Sequence, residues 1–404
     1  MKQVRRFLTS SSRFVFVLFI LLSAFVFAMF QGGYVSWTIF YAILPFVFYS
    51  IALFFYPLTM LTAERIIRTP SVQNGGKLKI VLSVKRNFRF PLLYTVVSEK
   101  WQDDDFLVSI GGKLKKVFVF GFRKEMEWAY EIERMPRGEH VLQGVEVEVS
   151  DFFGWIRKTR FIPIENTILV YPKITDLEYM SIDTQYDRGT MISPYNILKD
   201  TTMATGVRDY QSGDRVSWIH WKSFARTQVL MTKEFEERRS QQLMLILDGR
   251  SSETFEEQVE LTASILKEAL NHQAEIGFLS TGQENIAFPN IQSEEEFGRV
   301  LVHLAKVQPT MDATSGMPSD YRSRHQQGES TILVTGNPDW SFLESVVGNG
   351  TSTSSIICFV VVKKGIPLRD VLARDIQIAK SKGITVHTLS QSQFTSAFKE
   401  VTRS

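Results

Sequence analysis

The chain has 404 residues, a formal net charge of +3 and a pI near 8.7. Its length leaves room for two or three domains, and its balanced charge excludes the strongly basic surface typical of nucleic-acid-binding proteins. The single cysteine, Cys358, lies in the apolar run SIICFVVV, so no disulfide can form within the monomer. We therefore expect a multidomain protein of a reducing compartment that does not bind nucleic acid.

Two uncharged apolar segments lie near the N-terminus. They run from Phe14 to Phe30 and from Trp37 to Leu61, and the six residues QGGYVS between them permit only a tight hairpin. Each segment is long enough to cross about 30 Å of hydrocarbon. A cleaved signal peptide followed by one span, or a buried core hairpin, has a similar composition, but no clear small-x-small cleavage site is present. We therefore predict a two-helix transmembrane hairpin, inserted in a lipid bilayer, in residues 1–63.

Basic residues flank this hairpin and indicate its orientation. The loop between the two segments carries no charge, whereas cations precede the first segment and follow the second. By the positive-inside rule, we expect two spans with both termini in the cytoplasm. All residues after Glu64 are then expected to be cytoplasmic as well. The flanking cations are Lys2, Arg5, Arg6, Arg13, Arg65 and Arg68.

Residues 64–174 have the pattern of β structure. Short alternating runs such as KLKIVLSVKR, KLKKVFVFGF and HVLQGVEVEVSD are separated by clusters of Gly, Pro, Asn or Asp. Strand runs at this spacing predict an all-β, sandwich-like module. No group of its residues resembles a catalytic set, so we expect a structural spacer or a partner-binding module.

A domain boundary is predicted at VYPKI, residues 170–174. Residues 175–240 contain a polar loop that extends to Thr205 and then a motif rich in charge. From residue 241 onward, apolar strand runs such as LMLILD and STILVTG alternate with helical runs. This alternation predicts a parallel sheet covered on both faces, in a doubly wound α/β domain spanning residues 241–404.

The first strand of this α/β domain ends in a carboxylate. Ligands of doubly wound sheets bind beyond the carboxyl ends of the strands. Asp248 stands at such an end, and Ser252 follows four residues later. This pattern resembles the start of the Mg²⁺ site of von Willebrand factor A-type domains, since oxygen ligands suit that ion. Asp248 and Ser252 are therefore the candidate metal positions.

Two departures from the pattern indicate that the metal site is degenerate. Arg250 occupies the middle hydroxyl position, where its guanidinium would repel a divalent cation and pair with the strand-end carboxylate instead. A later strand ends in VTGNP, so Gly336 and Asn337 stand where a second carboxylate is needed. Thr310 and Thr314 are both candidates for the remaining hydroxyl. We expect no bound metal and no other cofactor.

The densest polar segment is GVRDYQSGDRVSWIHWKSFARTQVLMTKEFE, from Gly206 to Glu236. Gly213 breaks the chain and Asp214 is a good N-cap, so a helix is predicted from Arg215 to Arg226. At about 100° per residue, this helix would bury one apolar arc. The arc comprises Trp218, Trp221, Phe224, Ala225 and the small Ser217.

The same geometry places Arg215, Lys222 and Arg226 in a basic strip beside the arc. Such a strip is suited to bind carboxylates of a partner or a phosphate. Internal neutralisation is the alternative, because acidic residues are close in sequence, and the two interpretations remain open. These acidic residues are Asp209, Glu234, Glu236 and Glu237.

An enzymatic site in this segment would depend on Asp214 and His220. On the predicted helix they lie about 120° apart, too far around the axis to pair. Neither G-x-S-x-G nor H-E-x-x-H occurs, so His220 is expected to be structural. Beyond the helix, VLMTKEF predicts a strand that forms a hairpin onto Leu243–Asp248 at the edge of the α/β sheet.

The segment resembles the defining motif of the bacterial family called domain of unknown function fifty-eight. The resemblance extends over the whole chain, from the apolar hairpin through RGEH, SDFFGW and VYPKI to the α/β domain. Firmicute membrane members are the most similar. The residues that match the family motif are Arg208, Tyr210, Gly213, Asp214, Ile219, Trp221, Ala225, Arg226 and Glu234.

This resemblance implies a von Willebrand factor A-like C-terminal part and no enzymatic activity. It also implies a MoxR-type AAA+ ATPase as partner, often beside a transglutaminase-like membrane protein. We therefore expect a plasma-membrane-anchored adaptor or scaffold that works with such an ATPase in remodelling or assembling proteins of the bacterial cell envelope. The alternatives are a Mg²⁺-dependent protein-binding module and a hydrolase or phosphate-handling enzyme that uses Asp214 and His220.

Overall fold

The structure is a computed structural model. It describes residues 2–69, 71–103, 114–178, 199–211, 218–237, 243–282, 285–311, 330–347, 356–365 and 370–398. The contacts divide the chain into two compact units, Met1–Tyr171 and Pro172–Ser404. Each unit has apolar clusters of its own.

Two long apolar helices begin the first unit. Helix α1 spans Lys2–Gln31 and helix α2 spans Tyr34–Phe55. Gly32 and Gly33 connect them with φ angles of 56° and 108°, a region that favours glycine. Each helix contains a stretch long and apolar enough to cross a membrane. The two predicted apolar helices are therefore present.

A β module of two sheets follows the helices. Its strands are β1 (Leu61–Ile67), β2 (Val72–Gln73), β3 (Leu78–Arg86), β4 (Tyr94–Trp101), β5 (Lys115–Phe118), β6 (Glu125–Ile132), β7 (Gly138–Ser150) and β8 (Arg157–Tyr171). One sheet has the order β1-β3-β6 and the other has the order β2-β8-β7-β4-β5. Neighbouring strands are antiparallel except β2 and β8, which pair in parallel.

Side chains from both sheets enclose a shared apolar core. The alternating run LKIVLSVKR of β3 places the side chains of Leu82 and Val84 in one apolar cluster. This cluster also contains Val97 of β4 and Val145 and Val147 of β7. Burying a side chain of this size contributes about 1.5–3 kcal/mol relative to leaving it exposed. The alternation of the sequence thus holds the two sheets against each other.

A buried ion pair links the two sheets. Arg65 of β1 donates to both carboxylate oxygens of Glu99 in β4, at 3.3 Å and 2.5 Å, and neither side chain is exposed. The guanidinium also donates to the Ile164 carbonyl and to Asn166 Oδ1, and the Tyr130 hydroxyl donates to Glu99. Arg65 is therefore a structural cation of the β module rather than a surface charge.

The polar motif forms a two-stranded ribbon in the second unit. Strand β9 (Lys199–Asp209) pairs antiparallel with β10 (Met231–Glu237), and helix α3 (Trp221–Thr227) lies between them in sequence. Two predictions are wrong here. Residues 199–205 form a strand rather than a loop, and β10 pairs with β9 rather than with Leu243–Asp248.

A six-stranded sheet follows the ribbon. Its strands are β11 (Leu243–Leu247), β12 (Ile276–Ser280), β13 (Ile286–Ile291), β14 (Ser330–Thr335), β15 (Ile356–Val361) and β16 (Thr385–Leu389). Their order is β13-β12-β11-β14-β15-β16, and only the β12–β13 pair is antiparallel. Strand β11 is central and has partners on both sides, which explains why it offers β10 no free edge.

Helices cover both faces of this sheet. They are α4 (Phe255–Asn271), α5 (Glu294–Lys306), α6 (Trp340–Val347) and α7 (Asp370–Ser381). Leu245 of β11 shares a cluster with Val259 of α4, whereas Ile246 shares one with Phe342 of α6. Every side chain of β11 is consequently buried, as expected for a central parallel strand.

The strand order reverses between β11 and β14. Counted within the sheet, the order is 3-2-1-4-5-6, and the helices that follow these two strands pack on opposite faces. A crevice forms beyond the carboxyl ends of the strands at such a reversal, and it is the usual ligand position of doubly wound sheets. This crevice is the first candidate site.

Candidate functional site

The carboxyl-edge site lies at this reversal and consists of Asp248, Arg250, Thr335, Asn337 and Asp339. Asp248 is 1% exposed. Its carboxylate accepts from Arg250 Nε at 3.0 Å and 3.2 Å and from Arg250 Nη2 at 2.8 Å. Thr335 Oγ1 donates to the same carboxylate at 2.7 Å. The strand-end carboxylate is thus fully engaged by side chains of this chain.

The Arg250 guanidinium is held from several directions. It donates to the Asn337 carbonyl at 2.7 Å and lies 3.6 Å from Asp339 Oδ2. Its Cζ is 4.2 Å from the centre of the Phe342 ring, a cation–π contact. The positive charge that Asp248 requires is therefore supplied by Arg250, as its position in the sequence suggests.

Two glycines allow the loops of the site to approach closely. A Cβ atom on Gly249 would lie 1.7 Å from the Thr281 carbonyl oxygen. A Cβ atom on Gly336 would lie 2.3 Å from Gln258 Nε2 and 2.5 Å from Thr254 Oγ1. Position 336 therefore has no space for the second carboxylate of a metal site.

The other predicted metal positions make different contacts. Ser252 Oγ accepts a hydrogen bond from Gln258 Nε2 at 2.5 Å. Thr310 joins the site loop through its backbone, with its N–H donating to the Gly249 carbonyl at 2.9 Å. Thr314 lies outside the described residues. Among the residues that the structure describes, no group of three or more His, Cys, Asp or Glu is arranged to hold a metal ion.

We expect the wild-type protein not to bind Mn²⁺ at the carboxyl-edge site, because the Arg250 guanidinium already neutralises Asp248. The measurement is a Mn²⁺ titration of the full chain in detergent, followed by electron paramagnetic resonance. Arg250→Ser removes the competing cation and is expected to bind more Mn²⁺ than the wild type. Mn²⁺ binding by the wild type that Asp248→Asn abolishes would contradict this prediction.

Helix α3 begins later than the predicted helix. Its N-cap is His220, whose Nδ1 accepts from the Ser223 N–H at 3.2 Å and lies 2.6 Å from Ser223 Oγ. Gln228 ends the helix with a left-handed φ of 57°. The predicted N-cap and its neighbours lie outside the described residues; they are Gly213, Asp214, Arg215 and Ser217.

The residues just before α3 are extended because they pair with β10. Ile219 forms an antiparallel bridge with Thr232, and both residues are buried. The His220 N–H donates to the Met231 carbonyl at 2.8 Å. These contacts exclude residues 219 and 220 from the helix, so the prediction of one continuous helix through them to Arg226 is wrong.

His220 has a local structural role in this geometry. Because its Nδ1 accepts the Ser223 N–H, that nitrogen is the unprotonated one, and the Ser223 hydroxyl donates to it as well. The ring nitrogen that a general base would use is thus occupied by the helix cap. The predicted separation of His220 from Asp214 stays a prediction, since Asp214 lies outside the described residues.

Three residues of the predicted apolar arc, Trp221, Phe224 and Ala225, are exposed rather than buried. Trp221 is 58% exposed and Phe224 is 36% exposed, with ring centroids 6.1 Å apart in an edge-to-face arrangement. No residue of α3 is buried, and Lys222 and Arg226 are also exposed. The prediction fails because it assumed a helix of three turns packed on a core, whereas α3 has seven residues.

Further apolar side chains of the ribbon are exposed near α3 in sequence. We call the exposed large apolar and basic residues in the described part of residues 206–230 the motif surface; the same segment also exposes the carboxylate of Asp209. The motif surface consists of Val207, Trp221, Lys222, Phe224, Arg226, Val229 and Leu230. Exposed apolar groups of this kind mark interaction sites, and tryptophan and arginine are enriched among the residues that dominate binding energy.

The remaining motif residues support the ribbon. Arg208 is half-buried and donates to the Asp209 carbonyl at 3.0 Å. The Tyr210 N–H donates to the Leu230 carbonyl at 3.0 Å, and Trp218 is half-buried. Glu234 pairs with Gly206 in the ladder through its backbone.

These features define a class of protein with an apolar helical hairpin, a two-sheet β module and an α/β unit that carries the motif ribbon. The chain belongs to the family described as protein of unknown function DUF58, whose model matches residues 206–333. The uncharacterized protein YeaD of Bacillus subtilis (strain 168) is 38% identical over 284 residues, covering 70% of this chain and 71% of YeaD. The family resemblance inferred from the motif is therefore confirmed.

Some solved structures are similar over parts of the chain. The CARDB domain of the PF1109 protein from Pyrococcus furiosus is 13% identical with a TM-score of 0.19, covering 27% of this chain and 91% of that domain. The sporulation control protein Spo0M of Bacillus subtilis is 13% identical with a TM-score of 0.16, covering 28% of this chain and 49% of Spo0M. Scores this low do not assign a fold.

Proposed function

We propose that the protein is a membrane-anchored cytoplasmic adaptor, not an enzyme, that binds a MoxR-type AAA+ ATPase through the motif surface. In this proposal α1 and α2 cross the plasma membrane, and the flanking cations favour an orientation with both termini in the cytoplasm. The observation that carries the proposal is the exposure of Trp221 and Phe224 beside Lys222 and Arg226, within the segment that the family model matches.

The chemistry of the motif surface specifies the kind of partner surface it fits. Large rings such as Trp221 contribute binding energy when they enter a desolvated pocket, and cations at the rim select carboxylates on the partner. The complementary surface is therefore an apolar pocket bordered by acidic residues. The identity of the partner as a MoxR-type ATPase comes from the family resemblance.

The carboxyl-edge site supports a role in binding rather than catalysis. Asp248, Arg250 and Thr335 satisfy one another, so among the described residues the strand-end carboxylate is not available to a substrate as a base. We further propose that the second unit is von Willebrand factor A-like, with the Arg250 guanidinium in place of a metal ion. The strand order and the strand-end carboxylate support this interpretation.

Reversing the charge of the motif surface is expected to weaken binding of the ATPase. The variant Lys222→Glu/Arg226→Glu places two carboxylates opposite an acidic partner surface, and Trp221→Ala removes the apolar anchor. Each change is expected to weaken binding by about 2 kcal/mol or more, roughly 30-fold. The measurement is co-purification of the ATPase with the full-length protein from crosslinked membranes, followed by affinity measurement with the purified components.

A matched control carries the same change in charge elsewhere on the second unit. Lys380 and Lys382 are exposed at the end of α7, and Lys380→Glu/Lys382→Glu is expected to leave binding unchanged. Undiminished binding by the Lys222→Glu/Arg226→Glu and Trp221→Ala variants would refute the motif surface as the docking site. Equal loss in the control variant would show a nonspecific effect of charge and would refute it as well.

A further inference from the structure

Exposed apolar side chains are concentrated at one end of the β module. Four connections meet there, because Leu61 pairs with Arg86, and Ser150 pairs with both Tyr94 and Arg157. The connections are residues 56–60, 87–93, 119–124 and 151–156. We call their exposed rings the aromatic collar: Phe88 at 56%, Phe122 at 69%, Phe152 at 68% and Phe153 at 52% exposure.

The described connections at the opposite end of the β module have different side chains. They are residues 68–69, 71, 74–77, 102–103, 114 and 133–137, and no residue in these ranges has an exposed large apolar side chain. Val72 of β2 and Met135, which the structure describes at this end, are buried. Among the described connections, the exposed aromatic rings therefore lie at the end of the module where residues 56–60, 87–93, 119–124 and 151–156 meet.

Two rings of the aromatic collar, Phe152 and Phe153, lie against helix α2. Phe46 of α2 has its ring centre 5.7 Å from that of Phe152 and 5.2 Å from that of Phe153. Phe153 in turn stacks on Trp155 at 4.5 Å. Gly154 allows this turn through a φ of 74°, a value that favours glycine. The collar is therefore continuous with the apolar surface of the second helix.

Hydrogen bonds join the β module to α2 along its last two turns. Ser50 Oγ donates to Asp151 Oδ2 at 2.5 Å, and the Tyr49 hydroxyl donates to the Pro91 carbonyl at 2.9 Å. Lys158 Nζ donates to the Phe54 carbonyl at 2.9 Å, where its charge also complements the C-terminal end of the helix dipole. The module is thus in direct contact with the helix.

The collar contacts reach deep along the helix. Phe46 precedes the last helical residue, Phe55, by nine positions, which is about 14 Å at 1.5 Å per residue. The whole of α2 is about 33 Å long by the same rule, close to the roughly 30 Å of hydrocarbon in a bilayer. If α2 crosses the membrane, Phe152 and Phe153 lie within a leaflet.

The charges of the same connections suit the surface of a membrane. Arg89, Arg123 and Lys124 are exposed, whereas Asp151 is 2% exposed and is the only carboxylate in the four connections. Basic residues near an anionic leaflet gain about 1 kcal/mol each, and aromatic rings concentrate at the boundary between lipid and water. Apolar rings beside unpaired cations are thus placed as in an interfacial lipid contact.

We propose that the aromatic collar is embedded in the cytoplasmic leaflet of the membrane that α1 and α2 cross, with lipid as its occupant. This inference rests on the proposed membrane crossing but makes a separate claim about the β module. In this proposal one end of the β module is inserted in the membrane, and the module is not a spacer that extends into the cytoplasm. Phe122 and Phe152 contact acyl chains, and Arg89, Arg123 and Lys124 contact anionic headgroups.

The test places a fluorescent label on single cysteines of the full-length protein. The native Cys358 is fully buried, and burial raises the pKa of its thiol to about 12, so the wild type serves as the unlabelled blank. Phe122→Cys and Phe152→Cys report on the collar. Ser71→Cys is the matched control at the opposite end of the module, and Leu22→Cys, 60% exposed on α1, reports on membrane crossing.

Each labelled protein is reconstituted into vesicles of phosphatidylcholine and phosphatidylglycerol that contain nitroxide-labelled lipid. Labels at positions 22, 122 and 152 are expected to lose most of their emission to the nitroxide, and the label at position 71 is expected to keep it. Quenching at position 22 alone would overturn the collar proposal and leave the membrane crossing intact. Quenching at 122 and 152 without position 22 would support the collar and refute the crossing.

Two further results would overturn the proposal. Equal quenching of the collar labels and of the label at position 71 would show that both ends of the module meet lipid. Labels at 122 and 152 that stay in water in purified vesicles, but are protected in native membranes, would assign the collar to a protein partner.

Discussion

Arg250→Leu is expected to destabilise the second unit by about 3 kcal/mol. The substitution leaves the Asp248 carboxylate, which is 1% exposed, with Thr335 as its remaining side-chain donor. Removing one partner of a buried ion pair is costly because the other charge stays in a poorly solvated place. In hydrogen exchange of the full chain, the amides of Leu243–Leu247 are expected to exchange about a hundredfold faster.

Two further variants separate the ion pair from general damage. Asp248→Asn/Arg250→Leu removes both charges and is expected to recover most of the lost protection, because no unpaired carboxylate remains. Arg299→Leu breaks a solvent-exposed pair with Glu295 and is expected to leave the exchange of β11 unchanged. An Arg250→Leu variant with the exchange rates of the wild type would show that Arg250 does not stabilise the site.

The sequence predicts Asp248, Arg250 and Asn337 of the carboxyl-edge site but not Thr335 or Asp339. Asp248 and Arg250 are two residues apart at a strand end, so their pairing follows from local chemistry. Thr335 and Asp339 reach the same crevice from β14, and periodicity does not specify which side chains of a later strand end turn inward. Only the strand order, which places β14 beside β11, shows that Thr335 and Asp339 belong to the carboxyl-edge site.

The motif ribbon shows where helical periodicity is misleading. Residues 215–226 have an amphipathic pattern, but the buried Ile219–Thr232 bridge keeps Ile219 and His220 out of the helix. Pairing between segments distant in sequence overrides local helix propensity here. The same pairing leaves Trp221 on the surface, so the most exposed ring of the motif surface was predicted to be buried.

The apolar helices and the alternating strands of the β module are predictable because their periods are long and regular. The turn SDFFGW is also recognisable from Gly154. Contact of Phe152 and Phe153 with α2 is not, since it depends on the registers of β7 and β8 and on their placement beside the helix. The role of exposed aromatic side chains in a turn can be inferred only when the neighbouring helix is known.

Arg65→Met is expected to destabilise the β module by about 3–5 kcal/mol. The substitution retains much of the side-chain volume but removes the guanidinium, which makes four hydrogen bonds to Glu99, Ile164 and Asn166. Glu99 is then left fully buried with the Tyr130 hydroxyl as its remaining partner. Exchange of the β4 amides, Tyr94–Trp101, in the full-length protein measures the loss.

Matched variants test whether burial of this pair causes the effect. Lys85→Met breaks a solvent-exposed pair with Glu64 on the same sheet and is expected to leave β4 unchanged. Arg65→Met/Glu99→Gln removes both charges and is expected to recover part of the protection. Arg65 is one of the cations on which the positive-inside prediction rests. In the folded module, however, its side chain is fully buried and its charge is not at the surface. If Arg65→Met exchanges like the wild type but inverts in the membrane, Arg65 acts during insertion rather than in the folded core.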